Sequence, residues 1–444
     1  MVVLDFFIVN VALPSMQLDL HASDGALEWV AAGYALTSAV FLLTAGRLGD
    51  RIGRRRAFSL GLGLFTASSA ACGAASGPEM LIVARLLQGV AGALLMTNVL
   101  SIIGVLYDGE DRTRAMTAYG LSLGLAAVGG QLIGGVLVQA DIAGLGWRSC
   151  FLINVPIGVV ALVLAPRLVG ESRLARAGGL DLAGSLLLTA GLTAILLPLV
   201  EGRQHGWPAW TWISLALGPA LLALFVLHQR RLAGRGGSPL LELSLFSQRA
   251  FTAGLITQFA FWCGQASFFL VLALYLQQGR GLSALDAGLV FTILAAAYMA
   301  ASMVAPVLAQ RHGRKLLAEG ALILAAGHGL LLLAVSDVGT GGSVAALVPG
   351  LLLIGAGMGF VIAPLATIIM SAASPEYAGA ASGVLSTMQN VGNALGVAII
   401  GVVYFGAVSS GLATAFQLSL GTLAVILIAV SALTRLLPAP ARTA

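Results

Sequence analysis

Gly46-Arg47-Leu48-Gly49-Asp50-Arg51-Ile52-Gly53-Arg54-Arg55-Arg56 is a short charged turn set between two long apolar runs. The runs, roughly residues 27–45 and 57–75, are each about long enough to cross a hydrocarbon core of ~30 Å as a helix. Five arginines in so tight a loop place it on the cytoplasmic side of a membrane.

The rest of the chain has the composition such a turn requires. It is 59% hydrophobic and 9% charged, against about 25% charged in a soluble domain, so it reads as a polytopic membrane protein. The formal charge of +5 does not point to nucleic acid, because the basic residues are scattered among short loops where they set topology. Cys72, Cys150 and Cys263 have no paired spacing. They read as buried residues, and neither a disulfide, a metal site nor any cofactor is implied. Met1 is followed directly by apolar residues and Asp5. The expectation is therefore a start without a cleavable signal peptide.

Apolar runs divided by polar turns predict fourteen spans: 1–18, 27–45, 57–75, 79–104, 115–139, 151–169, 182–200, 211–228, 250–277, 286–309, 316–335, 346–371, 379–406 and 415–436. They are expected to be helices, since backbone exposed to lipid must satisfy its own hydrogen bonds. With the Gly46–Arg56 turn inside and the spans alternating, nineteen of the 23 basic residues fall inside. Arg148, Arg203 and Arg280 fall outside and Arg85 lies within a span. Both termini are then cytoplasmic.

The chain also repeats itself. Residues 45–55 align with 305–315, pairing Leu48 with Leu308, Arg51 with Arg311, Gly53 with Gly313 and Arg54 with Arg314. Residues 81–103 align with 347–369, pairing Gly89 with Gly355 and Ala93 with Gly359. Residues 114–129 align with 377–392, pairing Gly120 with Gly383. The first six and last six spans are thus homologous halves, a plan frequent in secondary transporters. The expected organisation is an all-α membrane protein: a six-helix bundle (1–170), two inserted helices with linkers (171–235) and a second six-helix bundle (236–444). A shared scaffold explains the matches. Function should lie in the departures, Asp50 against Gln310 and Arg85 against Leu351.

The charged turn resembles the signature loop between helices 2 and 3 of the major facilitator superfamily. Gly46, Asp50, Arg51, Gly53 and Arg54 carry the match; Gly49, where the family often has alanine, and the extra arginines read as ordinary variations. The twelve-plus-two plan resembles the fourteen-span drug:proton antiporter branch. So do Leu4-Asp5-Phe6-Phe7-Ile8-Val9-Asn10-Val11-Ala12-Leu13-Pro14 in helix 1, Arg85-Leu86-Leu87-Gln88-Gly89 in helix 4, and Trp147-Arg148 with Phe151-Leu152-Ile153-Asn154-Val155-Pro156-Ile157-Gly158 before and in helix 6. In helix 5, Gly129-Gly130-Gln131-Leu132-Ile133-Gly134-Gly135 resembles the antiporter motif Gly-Pro-x-x-Gly-Gly, with Gln131 where proline is usual. The resemblance implies a major facilitator fold and proton-coupled export. It also implies that Asp50, beside Arg51 and Arg54, helps latch the cytoplasmic mouth.

Asp5 is the only carboxylate well inside a predicted span. Desolvation disfavours the charged form of a carboxylate, so an acid in such a place can hold a proton near neutral pH. The plainer reading is an acid bonded to a neighbouring helix for packing. Arg85 lies about six residues into helix 4, roughly 9 Å deep at ~1.5 Å per residue. It either snorkels to the outer surface or works inside the bundle against protonation of Asp5. Asp5 reads a turn or two nearer the cytoplasm, which leaves contact between them open. With four residues before it and an apolar run ending near Pro14, helix 1 is short of the ~20 residues a span needs. The expectation is that upstream turns are missing and that Asp5 is poorly desolvated without them.

Gly130 and Gly134, in the motif with Gly135, are spaced to allow close helix packing, and Gln131 could offer its amide to a cavity. Asn10, Tyr34, Gln258, Trp262, Gln265 and Asn390 could line that cavity or simply bond helix to helix. Gly355-Ala356-Gly357-Met358-Gly359 follows no strand and is not a nucleotide loop. His328 reads as a packed histidine, and Trp207, Trp210 and Trp212 as interfacial anchors.

The sequence therefore predicts an inner-membrane, proton-coupled exporter of amphipathic organic compounds, with protons and small molecules as partners and a monomer as its state. Lipophilic cations fit as substrates, with Asp5 as the one intramembrane anion and aromatics able to stabilise cations; with a single acid, neutral or anionic compounds stay open. A symporter or dedicated metabolite exporter on the same scaffold is the alternative. An intramembrane enzyme would need a nucleophile–base pair or metal ligands within the spans, and neither is visible. A channel does not call for two homologous halves.

Overall fold

The computed structural model describes the backbone of residues 1–107, 109–171, 179, 181–372 and 378–437. The chain divides into two compact units, Met1–Leu243 and Ser244–Ala444. The first holds α1 (Val2–Leu20), α2 (Asp24–Ile52), α3 (Arg54–Gly73), α4 (Pro78–Leu106), α5 (Gly109–Ala140), the short α6 (Ser149–Leu152), α7 (Asn154–Leu168), α8 (Leu182–Glu201) and α9 (Ala209–Gly234). The second holds α10 (Arg249–Leu274), α11 (Ala284–His312), α12 (Arg314–Val338), α13 (Val348–Ser371), α14 (Ala378–Ala407) and α15 (Leu412–Leu433). No strand occurs among the described residues.

The packing within the two units repeats. In the first, α2 and α3 both pack on α4, α1 on α5 and α3 on α7; in the second, α11 and α12 both pack on α13, α10 on α14 and α12 on α15. The residues that aligned in sequence produce this. Gly53 (φ 107°) and Gly313 (φ 53°) each separate two long helices by a single residue. Glycine reaches such angles without the steric cost of a side chain. Gly89 and Gly355 sit where α4 meets α2 and where α13 meets α11; a Cβ at Gly89 would strike the Tyr34 carbonyl oxygen, and one at Gly355 that of Leu294. Gly134 and Gly396 allow the same approach of α5 to Ile8 and of α14 to Cys263. Small residues let helix backbones come together in this way where water offers no hydrophobic drive.

Among the described residues, twelve helical segments are long and apolar enough to cross a membrane, and the protein is a multi-pass membrane protein. The count of fourteen expected from sequence is not reached by this measure. The helices outside the twelve are α3 and α5, both at their expected places. The first opens on three arginines and is rich in Ala, Ser and Gly; the second opens on Glu110 and Asp111.

Helix 1, expected over 1–18, is α1, which runs through Pro14 to Leu20. A further expectation is corrected here: Asp5 is not poorly desolvated, for its exposure is 0%. Its shielding comes from α2, α4, α5 and α6, which pack around α1.

The pair α8–α9 packs within the first unit, with α8 against α2. Ser185 shares a 2.8 Å hydrogen bond with Thr44, and the Trp29 indole donates to Glu201 over 2.8 Å. Outer-facing apolar residues of the pair, such as Leu186 and Ile213, are exposed, as lipid contact requires. The Trp207 and Trp212 rings meet in a tilted pair, 5.7 Å between centres, at the α8–α9 turn.

Candidate functional site

In the first unit, five helices bring a carboxylate and a guanidinium together out of reach of solvent. Arg85 Nη1 lies 2.6 Å from Asp5 Oδ2, and the two side chains are 1% and 0% exposed. Arg85 therefore does not snorkel. Its Nε donates to the Val30 carbonyl at 3.0 Å, and its guanidinium lies 4.2 Å above the Tyr34 ring. Tyr34, expected to line a cavity, instead forms a wall of this site.

Three neutral side chains complete the shell. Gln88, one turn along α4 and so on the face of Arg85, accepts from Arg85 Nη1 at 2.6 Å and donates to Asp5 Oδ1 at 2.8 Å. Asn154, at the start of α7, donates to the same oxygen at 2.9 Å. Ser69 Oγ on α3 accepts from both amides, at 2.7 Å from Gln88 and 3.3 Å from Asn154. All three are 0% exposed. Both Asp5 oxygens are thereby satisfied, and the cluster carries no net charge while Asp5 is ionised. Breaking a buried pair by removing one partner costs about 3–5 kcal/mol, because it strands the other charge. Protonating Asp5 does the same to Arg85. The arrangement can thus turn proton binding into a change in helix packing.

Sequence reasoning missed Gln88, Asn154 and Ser69 as site members. The signal for two of them was present: Gln88 and Asn154 lie inside the stretches that carried the resemblance. Ser69 had no signal, since a serine in a small-residue helix is unremarkable.

At the signature turn, Asp50 pairs with Arg54 at 3.1 Å, one helical turn on. Arg51 is exposed, and the pairing is with Arg54. Glu171, not singled out from sequence, covers the turn: its carboxylate accepts from the Arg55 backbone at 3.2 Å and lies 3.7 Å from both Arg55 Nε and Arg56 Nε. It lies against the space a side chain at Gly53 would occupy. Arg47 donates to the Pro239 carbonyl. A Cβ at Gly46 would meet nothing within 4 Å, whereas one at Gly49 would strike Asn98 of α4. Gly49 is thus a packing position here, not an indifferent variation. The side chain of Gln310 lies outside the described residues.

In α5, Gly130 and Gly134 face α1 at Phe7 and Ile8, where added Cβ atoms would come within 2.9 Å of side-chain carbons. Gly135 is buried in the same turn. Gln131 is 2% exposed, and neither of its amide atoms has a hydrogen-bond partner among the described residues. Asn10 and Asn390 bond carbonyls of their own helices, at Phe6 (3.1 Å) and Ser386 (3.0 Å). In the second unit, Gln258 and Gln265 are buried on α10, and Trp262 packs against Gly392 of α14. His328 bonds the Leu324 carbonyl at 2.8 Å and meets the Phe268 ring. Among the described residues no cluster of His, Cys, Asp or Glu is arranged to hold a metal ion.

Residues 1–397 match the family described as the Major Facilitator Superfamily. The chain is 41% identical to a probable actinorhodin transporter of Streptomyces coelicolor, over 92% of its own length and 71% of the relative's. It is 36% identical to the cephamycin export protein CmcT of Amycolatopsis lactamdurans, over 100% of its own length and 91% of the relative's. It is 32% identical to the multidrug resistance protein Stp of Mycobacterium tuberculosis, over 91% and 73%. Among solved structures, an auto-inhibited POT family peptide transporter superposes with a TM-score of 0.70 at 16% identity, covering 100% of this chain and 97% of that one. The superposition speaks to fold alone.

Proposed function

The chain belongs to the major facilitator superfamily and is a transporter, not an enzyme; from that premise we propose that it is a proton-coupled exporter of amphipathic organic compounds working by alternating access. The carrying observation is the sealed Asp5–Arg85 pair with its Gln88, Asn154 and Ser69 shell. A proton on Asp5 strands the Arg85 charge, and the cost of that state biases the carrier towards another conformation. Release of the proton restores the pair and resets the carrier.

The same geometry alters the substrate reading. Asp5 is already neutralised by Arg85, so it offers no free anion to a lipophilic cation. Neutral and anionic amphiphiles fit a site whose buried charges cancel. Gln131, with both amide atoms unsatisfied, is the first polar contact we assign to a substrate. Asn10, Gln258, Trp262, Gln265 and Asn390 are proposed as further lining.

Our reading of topology is fourteen crossings, with α3 and α5 spanning beside the twelve, and both termini cytoplasmic in an inner membrane. Residues 1–170 and 236–444 form the transport bundles and 171–235 the inserted pair. The Asp50–Arg54 pair and Arg51 gate the cytoplasmic mouth, and the protein acts as a monomer.

The decisive experiment is transport in proteoliposomes under an imposed proton gradient. Wild type should export and Asp5→Asn should not, while binding substrate and staying folded. Gradient-driven transport by Asp5→Asn at the wild-type rate would refute the role given to Asp5. A second reading, a dedicated exporter of one natural product, is favoured by relatives named for actinorhodin and cephamycin. A panel of unrelated amphiphiles separates the two by breadth of substrate.

A further inference from the structure

Asp5 is not the sole acid buried in the first unit. Glu28 lies on α2 and is 1% exposed. Its Oε2 has no hydrogen-bond partner among the described residues. The charged groups around it are Asp24 on its own helix and Glu201 and Arg203 at the end of α8. Of these, Arg203 turns a nitrogen to Asp24, 3.4 Å away, and Glu201 takes the Trp29 indole at 2.8 Å. The local balance is two other carboxylates against one guanidinium, and no donor reaches Glu28 Oε2. The helix end does not help, because Glu28 lies beyond the first four residues of α2, whose amides are the free ones. A buried carboxylate with no donor is stable as the acid and costly as the anion.

Position gives this acid a use. Asp24, one turn before Glu28 on the same face of α2, is about a third exposed. Val30, two residues after Glu28, gives its carbonyl to Arg85, and Tyr34 carries the guanidinium. At ~1.5 Å per residue, Glu28 lies roughly 3–9 Å along the helix from these contacts. It therefore stands between the surface at the start of α2 and the Asp5–Arg85 pair.

We infer that Glu28 is a second proton-binding site, which takes a proton onto its carboxylate from water at the Asp24–Arg203 end of the unit and hands it on to Asp5. The inference rests on the proton-coupled reading for its purpose, but not for its test. Infrared spectra of the full chain in lipid, titrated in pH, read the carbonyl band of a buried protonated carboxylic acid directly. In Asp5→Asn a titrating band remains. In Asp5→Asn/Glu28→Gln it is lost, and in Asp5→Asn/Glu28→Asp it is displaced but present. Glu79→Gln, at an exposed position on α4, leaves the bands of wild type unchanged. In proteoliposomes, Glu28→Gln moves the pH profile of transport. Identical bands in Asp5→Asn and Asp5→Asn/Glu28→Gln overturn the inference, whatever transport does. A Glu28 band in a wild-type protein that shows no proton-coupled transport overturns the functional reading and leaves the site standing.

Discussion

Removing Arg85 leaves Asp5 with amide donors only, whereas removing Asp5 leaves a guanidinium with no anion at all. Each truncation to alanine should lower stability by about 3–5 kcal/mol, read as earlier thermal unfolding in detergent. Asp5→Asn/Arg85→Gln, which removes both charges, should recover most of that loss and still not couple transport to protons. The two single effects are thus expected to be strongly non-additive; additive losses would mean that the pair does not behave as one group. Gln88→Leu removes a donor from Asp5 and an acceptor from Arg85, and should cost about 1–3 kcal/mol with slowed transport. Asp5 and Arg85 were legible in the sequence because an ionisable group inside an apolar run is costly wherever it lies. Gln88, Ser69 and Asn154 were not, because a neutral polar residue in a span can bond its own helix, as Asn10 and Asn390 do.

At the scale of elements, Gly46 and Gly53 of the signature turn separate. Gly53 holds φ 107° between α2 and α3 with the Glu171 carboxylate against it. Gly53→Ala should cost about 1 kcal/mol or more from backbone strain. Gly46 lies within α2 with open space around it, so Gly46→Ala should leave thermal stability level or slightly raised. Any loss at Gly46 should appear in transport, as a gating role predicts. The start of α8 has a pH dependence of its own. Burial raises the Asp181 carboxyl, but the Gly184 backbone N–H and the His228 and Gln229 side chains outweigh it and hold the group below the usual 3.8. A lowered value adds stability above the unfolded value and loses it as pH falls through the folded one. Hydrogen exchange at the first turn of α8 should stay slow at neutral pH and speed up below about pH 4. Asp181→Asn should show the fast exchange at neutral pH. Unchanged exchange in that variant would remove Asp181 as the cap of α8.

For the whole molecule, the proposed topology assigns each turn to one side of the membrane. Single cysteines, introduced after the buried native ones are replaced, should be labelled from the cytoplasm at Arg56, Glu171, Arg235 and His312. From outside, labelling should occur at Ser76, Gln204 and Gly341. Arg56 and Ser76 flank α3; labelling of both from one side would mean that α3 does not cross and that the fourteen-span reading fails. The α8–α9 pair should not be separable. With Thr44–Ser185 and Trp29–Glu201 contacts, excision of residues 182–234 should destabilise the first unit itself.

The sequence by itself determined the class, the approximate helices and the membrane setting, and its internal repeat anticipated the packing that recurs in the two units. These follow from quantities that add along the chain: apolar length against bilayer thickness, the placing of arginines in short turns, and the spacing of glycines. It also marked Asp5 and Arg85 as costly residues. Only the tertiary structure decided that these two touch, and that three neutral residues from α3, α4 and α7 seal them. It alone showed that Glu28, at the edge of a predicted span, is as buried as Asp5. Burial and hydrogen bonding depend on neighbours far away along the chain, as Asn154 is 149 residues from Asp5, and no local pattern records which faces of those helices meet.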